Sequence, residues 1–228
     1  MHATLLLLTR APDAGESAFR ACCVEAATRL AAELPGLAGC VVNHVLDSAR
    51  RMPVPRGAFA VDGLVQLAGD GRDWAAEPAY AALIESLRPC TTAILALDTR
   101  RHDVIAPPEP PRGGGSAPMA KRMSILERDS SVTLAGFQAW WLTVHGPKVK
   151  DVPELRGSRQ YHLRGARPEW SAAPGAVWVP DGVTELWLED MAAMERAFPP
   201  VRAAGVGAHA ATRIARMTTL IVEDHRIL

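Results

Sequence analysis

Apolar residues along this chain follow two rhythms, and the order in which the rhythms alternate predicts the fold. Thr4–Leu8 is an apolar run of strand length, followed by the turn-like APDAG. From Glu16 to Leu34, Phe19, Cys22, Cys23, Ala26, Leu30 and Leu34 recur at helical spacing, and Pro35-Gly36 ends the segment. Two strand-type segments follow, Cys40–Leu46 and Val61–Leu67, separated by a Pro- and Arg-rich loop. Tyr80, Leu83, Ile84 and Leu87 mark a second helix, and Ala93–Leu97 a fourth strand. The order β-α-β-β-α-β is that of a ferredoxin-like unit.

Ala106–Pro118, reading APPEPPRGGGSAP, suits neither a helix nor a central strand and predicts a linker. Beyond it the order begins again. Met123–Glu127, Ser158–Leu163, Val183–Leu188 and Thr219–Val222 read as strands, Thr133–His145 and Met191–Phe198 as helices, with Thr133 as an N-cap. Leu34–Leu46 lies over Val152–Arg164 without a gap, pairing Pro35 with Pro153, Gly39 with Gly157 and His44 with His162. Asp62-Gly63 matches Asp181-Gly182 after a shift of one residue. The expected organisation is therefore two tandem ferredoxin-like domains, 1–105 and 119–228, joined by a linker over 106–118.

The copies differ in chemistry. Phe19 matches Phe137, but Cys22-Cys23 stand where the second copy has Trp140-Trp141, and Ala27 stands where it has His145. Phe137, Trp140, Trp141 and Val144 line one helical face at i, i+3, i+4 and i+7, predicted to be buried. His145 follows at the edge of that stripe, with Gly146-Pro147 expected to stop the helix. A histidine there is either a structural side chain bonded to a carbonyl or an acid/base group whose ordinary pKa lies near neutrality.

Charge and composition narrow the classes. Lys plus Arg and Asp plus Glu both number 25, so no basic field favours nucleic acid or an anionic membrane. Four leucines in a row near the start are too few for a membrane span, and a cytoplasmic protein is expected. Cys22, Cys23, Cys40 and Cys90 show no metal-ligand spacing and read as small core residues of a reducing compartment. GxGxxG, P-loop and GxSxG motifs are missing, His102, His209 and His225 each stand alone, and neither a metal nor another cofactor is expected.

The run FQAWWLTVHGPKVKDVPEL, followed by RQYHL and DGVTELWLED, resembles the EthD domain. That family shows a Phe, a Trp and a His-Gly-Pro at the end of its first helix, a Pro-containing turn into a strand, and a later Asp-Gly-x-x-Glu strand. Phe137, Trp140, His145, Gly146, Pro147, Pro153, Tyr161, His162, Asp181, Gly182 and Glu185 carry the likeness, which spans most of Lys121–Leu228. The first half resembles a diverged copy that has lost the His-Gly-Pro. The resemblance implies a pseudo-dimeric α+β barrel in which one chain supplies both halves. It also implies an oxidoreductase of the kind associated with bacterial ether degradation, or a metal-free lyase like the fungal relatives. Haem on a helical histidine, as in related barrels, stays open.

Strand alternation places Arg159, Tyr161 and Leu163 on one face of a strand and Gln160 and His162 on the other; Glu185 and Trp187 share the face turned into the barrel. The candidate catalytic residues are His145 and Glu185 as acid or base, Glu185 if burial raises its pKa, with Tyr161 as an oxyanion donor. Phe137, Trp140, Trp141, His162 and Trp187 are the candidate substrate-binding residues. Each also has a structural alternative, and His162 recurs as His44 in the copy without His145. The expected activity is an EthD-type oxidoreductase acting on a small hydrophobic or aromatic molecule. A lyase or isomerase of the same pocket and a non-catalytic binding protein are the rivals, and a homodimer remains open.

Overall fold

Four consecutive leucines in the first strand are all buried, because the sheet that holds them is covered on both faces. Leu5 and Leu7 point one way and join Leu95, Leu97, Met123, Ile125, Tyr161, Val183, Leu220 and Val222. Leu6 and Leu8 point the other way and join Phe19, Leu30, Leu83 and Leu87 of the helices. The first set comes from strands of both halves, so it is the inside of a barrel; the second is the layer between sheet and helices.

The structure, a computed structural model, describes residues 1–46, 60–71, 73–108, 119–173, 178–198 and 212–228. Its strands are β1 (His2–Arg10), β2 (Leu37–Val45), β3 (Gly63–Gly69), β4 (Thr91–Ile105), β5 (Ala120–Arg128), β6 (Leu155–Ser171), β7 (Gly182–Leu188) and β8 (Ile214–Arg226). Its α-helices are α1 (Glu16–Glu33), α2 (Pro78–Leu87), α3 (Leu134–Trp140), α4 (Gly146–Val149) and α5 (Met191–Ala197). The strands close in the order β1-β3-β2-β8-β5-β7-β6-β4, and all eight neighbouring pairs are antiparallel. The result is a mixed α+β fold built on an eight-stranded antiparallel barrel. Closure leaves no unpaired sheet edge. Among the described residues no helix is long and apolar enough to cross a membrane.

Three strands far outrun their sequence signals, β8 running Ile214–Arg226 where Thr219–Val222 was expected. β4 continues past Leu97 to Ile105, and β6 runs from Leu155 to Ser171, because the two pair from Ala93↔Ser171 to Ile105↔Ser158 along one seam of the barrel. Their outer stretches carry Arg100, Arg101, Arg164 and Arg167, which gives no apolar alternation to read. Residues 109–118 of the expected linker lie outside the described residues, as does His209.

The segment expected to be one helix, Thr133–His145, changes winding part-way. Thr133 caps it as anticipated, its hydroxyl accepting from Gly136 N at 3.1 Å. After α3 the residues Trp141–His145 form a π-helical turn, and α4 follows with Pro147 in its first turn, so Gly146-Pro147 does not end the helix. A π turn rotates less per residue than an α turn. Val144 therefore leaves the apolar stripe and is 41% exposed, and Trp140 is only half-buried, both contrary to the expected burial, while Phe137 and Trp141 stay fully buried.

Two loops share one construction. Asp62 accepts from Arg10 N at 2.9 Å, and Asp181 accepts from Arg128 N at 2.8 Å. Arg10 and Arg128 then each reach forward four residues to a carbonyl, of Ala14 and of Val132. The backbone bonds match as well: Asp62 N donates to Leu8 O, as Asp181 N does to Leu126 O.

Candidate functional site

The residues singled out in the sequence fall on two sides of the sheet. β6 and β7 turn Arg159, Tyr161, Glu185 and Trp187 into the barrel, as alternation requires. Glu185 is fully buried. Its Oε1 accepts from Lys121 Nζ at 2.8 Å and from Gln66 Nε2 at 2.7 Å, and its Oε2 from the Tyr161 hydroxyl at 2.8 Å. Arg159 Nη1 stands 3.5 Å from Oε2 and donates to Tyr161 at 3.3 Å. Lys121, 2% exposed, also donates to Asn43 Oδ1 at 2.7 Å. Lys121 Nζ and the Arg159 guanidinium lie 5.3 and 5.4 Å from the Trp187 ring centre.

Electrostatics here runs against the expected acid. Burial pushes the Glu185 carboxyl up, but Lys121 and Arg159 outweigh it and hold the group below its ordinary value. Glu185 is thus an ionised acceptor engaged on both oxygens. Burial, and then the Glu185 charge, raise the Tyr161 phenol well above its ordinary value, so Tyr161 stays a neutral donor. Lys121, Gln66 and Asn43 were missed in the sequence. A buried lysine has no sequence pattern, and Gln66 and Asn43 come from the other half of the chain.

On the helix side, rings form a column. Phe137 stacks on Trp141 with centroids 5.4 Å apart, Trp141 on His162 at 4.8 Å, and His162 meets His102 at 4.5 Å. Trp140 packs 6.1 Å from Phe137 and 5.3 Å from His145. Gln160 ties this layer to the sheet, its Oε1 accepting from His162 Nε2 at 2.9 Å and its Nε2 donating to Trp141 O at 3.1 Å. Burial, then the neighbouring His102 and Arg100, lower the His162 pKa to about 4. His162 is therefore a neutral ring at pH 7. His145 and Trp140 are half-buried, at the outer end of the column. Tyr161, Glu185 and Trp187 lie behind the sheet wall that carries His162.

An open groove of about 540 Å³ lies elsewhere, on the helix side of the first half. Trp74, Tyr80, His2 and Asp98 line it together with Arg164 and Arg167, and His2 Nε2 approaches Asp98 Oδ1 at 2.5 Å. Among the described residues no group of three or more His, Cys, Asp or Glu is arranged to hold a metal ion. A Cβ on Gly182 would meet Trp141 at 2.4 Å, so the indole is packed directly against the strand.

Residues 129–212 match the EthD domain model. An anthrone oxidase-like protein shares the fold over 99% of this chain and 92% of its own, with a TM-score of 0.63 and 14% identity. A candidate monooxygenase from Lactobacillus acidophilus aligns over 100% of this chain and 94% of its own, TM-score 0.54, at 9% identity. A candidate chlorite dismutase aligns over 97% and 94%, TM-score 0.52, at 12% identity. At such identities the likeness is one of fold. None of the curated proteins compared with the chain matches it significantly.

Proposed function

We propose that this protein is an EthD-type oxidoreductase whose working site is the helix-side surface at His145, within the residues 129–212 that match the EthD domain. The substrate class is a small hydrophobic, aromatic molecule laid against Trp140. The observation that carries this is the π-helical turn Trp141–His145, which brings a half-exposed imidazole against a half-exposed indole. Single π turns within helices occur frequently at functional sites.

His145 takes the acid/base role, removing a proton from an activated ring carbon or hydroxyl of the bound aromatic. Dioxygen is the oxidant: conversion of a ring CH2 to C=O with release of water balances with one O2. The names of the fold neighbours, an anthrone oxidase-like protein and a candidate monooxygenase, support that chemistry. Phe137, Trp141 and His162 form the buried layer behind Trp140 and His145, and the neutral His162 holds Trp141 by stacking.

Tyr161, Glu185 and Trp187 take a structural role in this proposal. Their network joins Gln66 and Asn43 of the first half to Lys121 and Arg159 of the second, inside the barrel. The matching Asp62 and Asp181 loops, and the strand orders β4-β1-β3-β2 and β8-β5-β7-β6, support two tandem ferredoxin-like copies as its origin.

Oxygen uptake with anthrone as probe, in wild type and His145→Gln, tests the proposal. Uptake that the variant loses supports it. Proton exchange at the ring carbon without oxygen uptake would instead favour a lyase or isomerase, and neither signal would leave a binding protein.

A further inference from the structure

The helix layer of the first half carries no counterpart of His145 but holds three thiols. Cys22 and Cys23 lie on α1, and Cys90 ends the short 3-10 turn Arg88–Cys90 that joins α2 to β4. Cys22 Sγ and Cys90 Sγ are 2.7 Å apart, much nearer a disulfide bond of about 2.05 Å than unbonded sulfurs ordinarily come. Cys22 also faces Ser86 O at 3.4 Å, and Cys90 faces Leu87 O at 3.2 Å, so both sulfurs are held at the junction of α1 with the end of α2. Cys22 is half-buried, whereas Cys90 is 7% and Cys23 0% exposed. Cys40, also fully buried, lies on β2 and has no thiol contact of this kind.

We propose that Cys22 and Cys90 are a redox-modification site, interconverting between two thiols and one disulfide that ties α1 to the end of α2. The oxidant class is a small peroxide. The Cys90 thiolate attacks one peroxide oxygen, the O–O bond breaks, hydroxide leaves, and Cys90 becomes a sulfenic acid. The Cys22 thiol then attacks the Cys90 sulfur: the S–S bond forms, the S–O bond breaks, and the hydroxyl leaves as water with the Cys22 proton. Two thiols lose two electrons and two protons, and hydrogen peroxide becomes two waters. Hydrogen bonds from Cys23 and Cys22 to Cys90 outweigh burial and lower its pKa to about 7, which favours the first step. Burial raises the Cys22 pKa to about 12, so Cys22 is the slower, resolving partner and gives its proton to the departing hydroxyl as the S–S bond forms. Cys23 is the third thiol, a donor that is not oxidised.

The test treats the full folded chain with hydrogen peroxide, quenches by alkylation and maps the linked peptides by fragmentation. The expected product is two hydrogens lighter, links Cys22 to Cys90, reverts with dithiothreitol, and melts about 10 °C higher because a long loop has been closed. The link is expected to persist in Cys23→Ser and to vanish in Cys22→Ser. A link that survives Cys22→Ser, a vicinal Cys22–Cys23 product, oxidation only to sulfinic acid, or Cys40 reacting as readily as Cys22 would each overturn the proposal. Cys22 lies at the half-exposed surface, so its variant keeps the test informative if Cys90 substitutions fail to fold.

Discussion

The indole of Trp141 and the imidazole of His162 lie parallel to within 8°, with their centroids 4.8 Å apart. The contact depends on a missing side chain, since Gly182, paired to His162 across the strands, leaves the space that Trp141 fills. A Cβ there would meet Trp141 at 2.4 Å and the Tyr161 carbonyl at 2.9 Å. Gly182→Ala is expected to cost about 1–3 kcal/mol by overpacking. At the matching position, a Cβ on Gly63 would meet Phe19 only at 3.1 Å, so Gly63→Ala is expected to cost less. Urea denaturation of the two variants checks the order.

Stability is expected to fall as pH drops from about 6.5 to about 4. Burial leads in lowering both His44 and His162 to about 4, below the ordinary histidine value of about 6.5. Within that window the unfolded chain binds protons that the folded chain refuses, so the stability present above the unfolded value is lost with falling pH. The loss is on the order of 2–3 kcal/mol per ring. Denaturation across the window checks it, and His162→Phe is expected to flatten the slope.

The interior ion cluster predicts strong coupling. Lys121→Met leaves Glu185 buried with one cation fewer and is expected to cost about 3–5 kcal/mol. Lys121→Met with Glu185→Leu removes both charges and is expected to cost less than the sum of the single changes. A double-mutant cycle in urea measures the difference.

The parts of this architecture visible in the sequence were those set by a local period. Alternation placed Glu185 and Trp187 inside the barrel and His162 outside it, because a strand has a period of two. The Asp-Gly pairs marked the equivalent loops. What local pattern cannot carry was lost: Lys121, Gln66 and Asn43 meet Glu185 only through barrel closure. The π turn changed the face of Val144 without any sequence mark, and the long pairing of β4 with β6 relies on backbone bonds beneath polar side chains. The condition on which Glu185 could serve as an acid, a pKa raised by burial, is not met for the same reason, since its cations come from separate strands.

His145→Gln keeps size and polarity but removes the titratable ring. It is expected to lower kcat for an aromatic substrate by about 10²–10⁴, with stability changed by less than about 1 kcal/mol because His145 is half-exposed. Oxygen uptake and urea denaturation on the same samples separate the two effects.

The most direct measurement follows the histidine C2–H resonances by NMR while anthrone is added to the wild-type protein. The account predicts that the His145 signal moves with ligand concentration while that of His2, in the groove of the first half, stays still. Movement of His2 with His145 unchanged would put the ligand in the other half of the barrel and contradict a working site at His145.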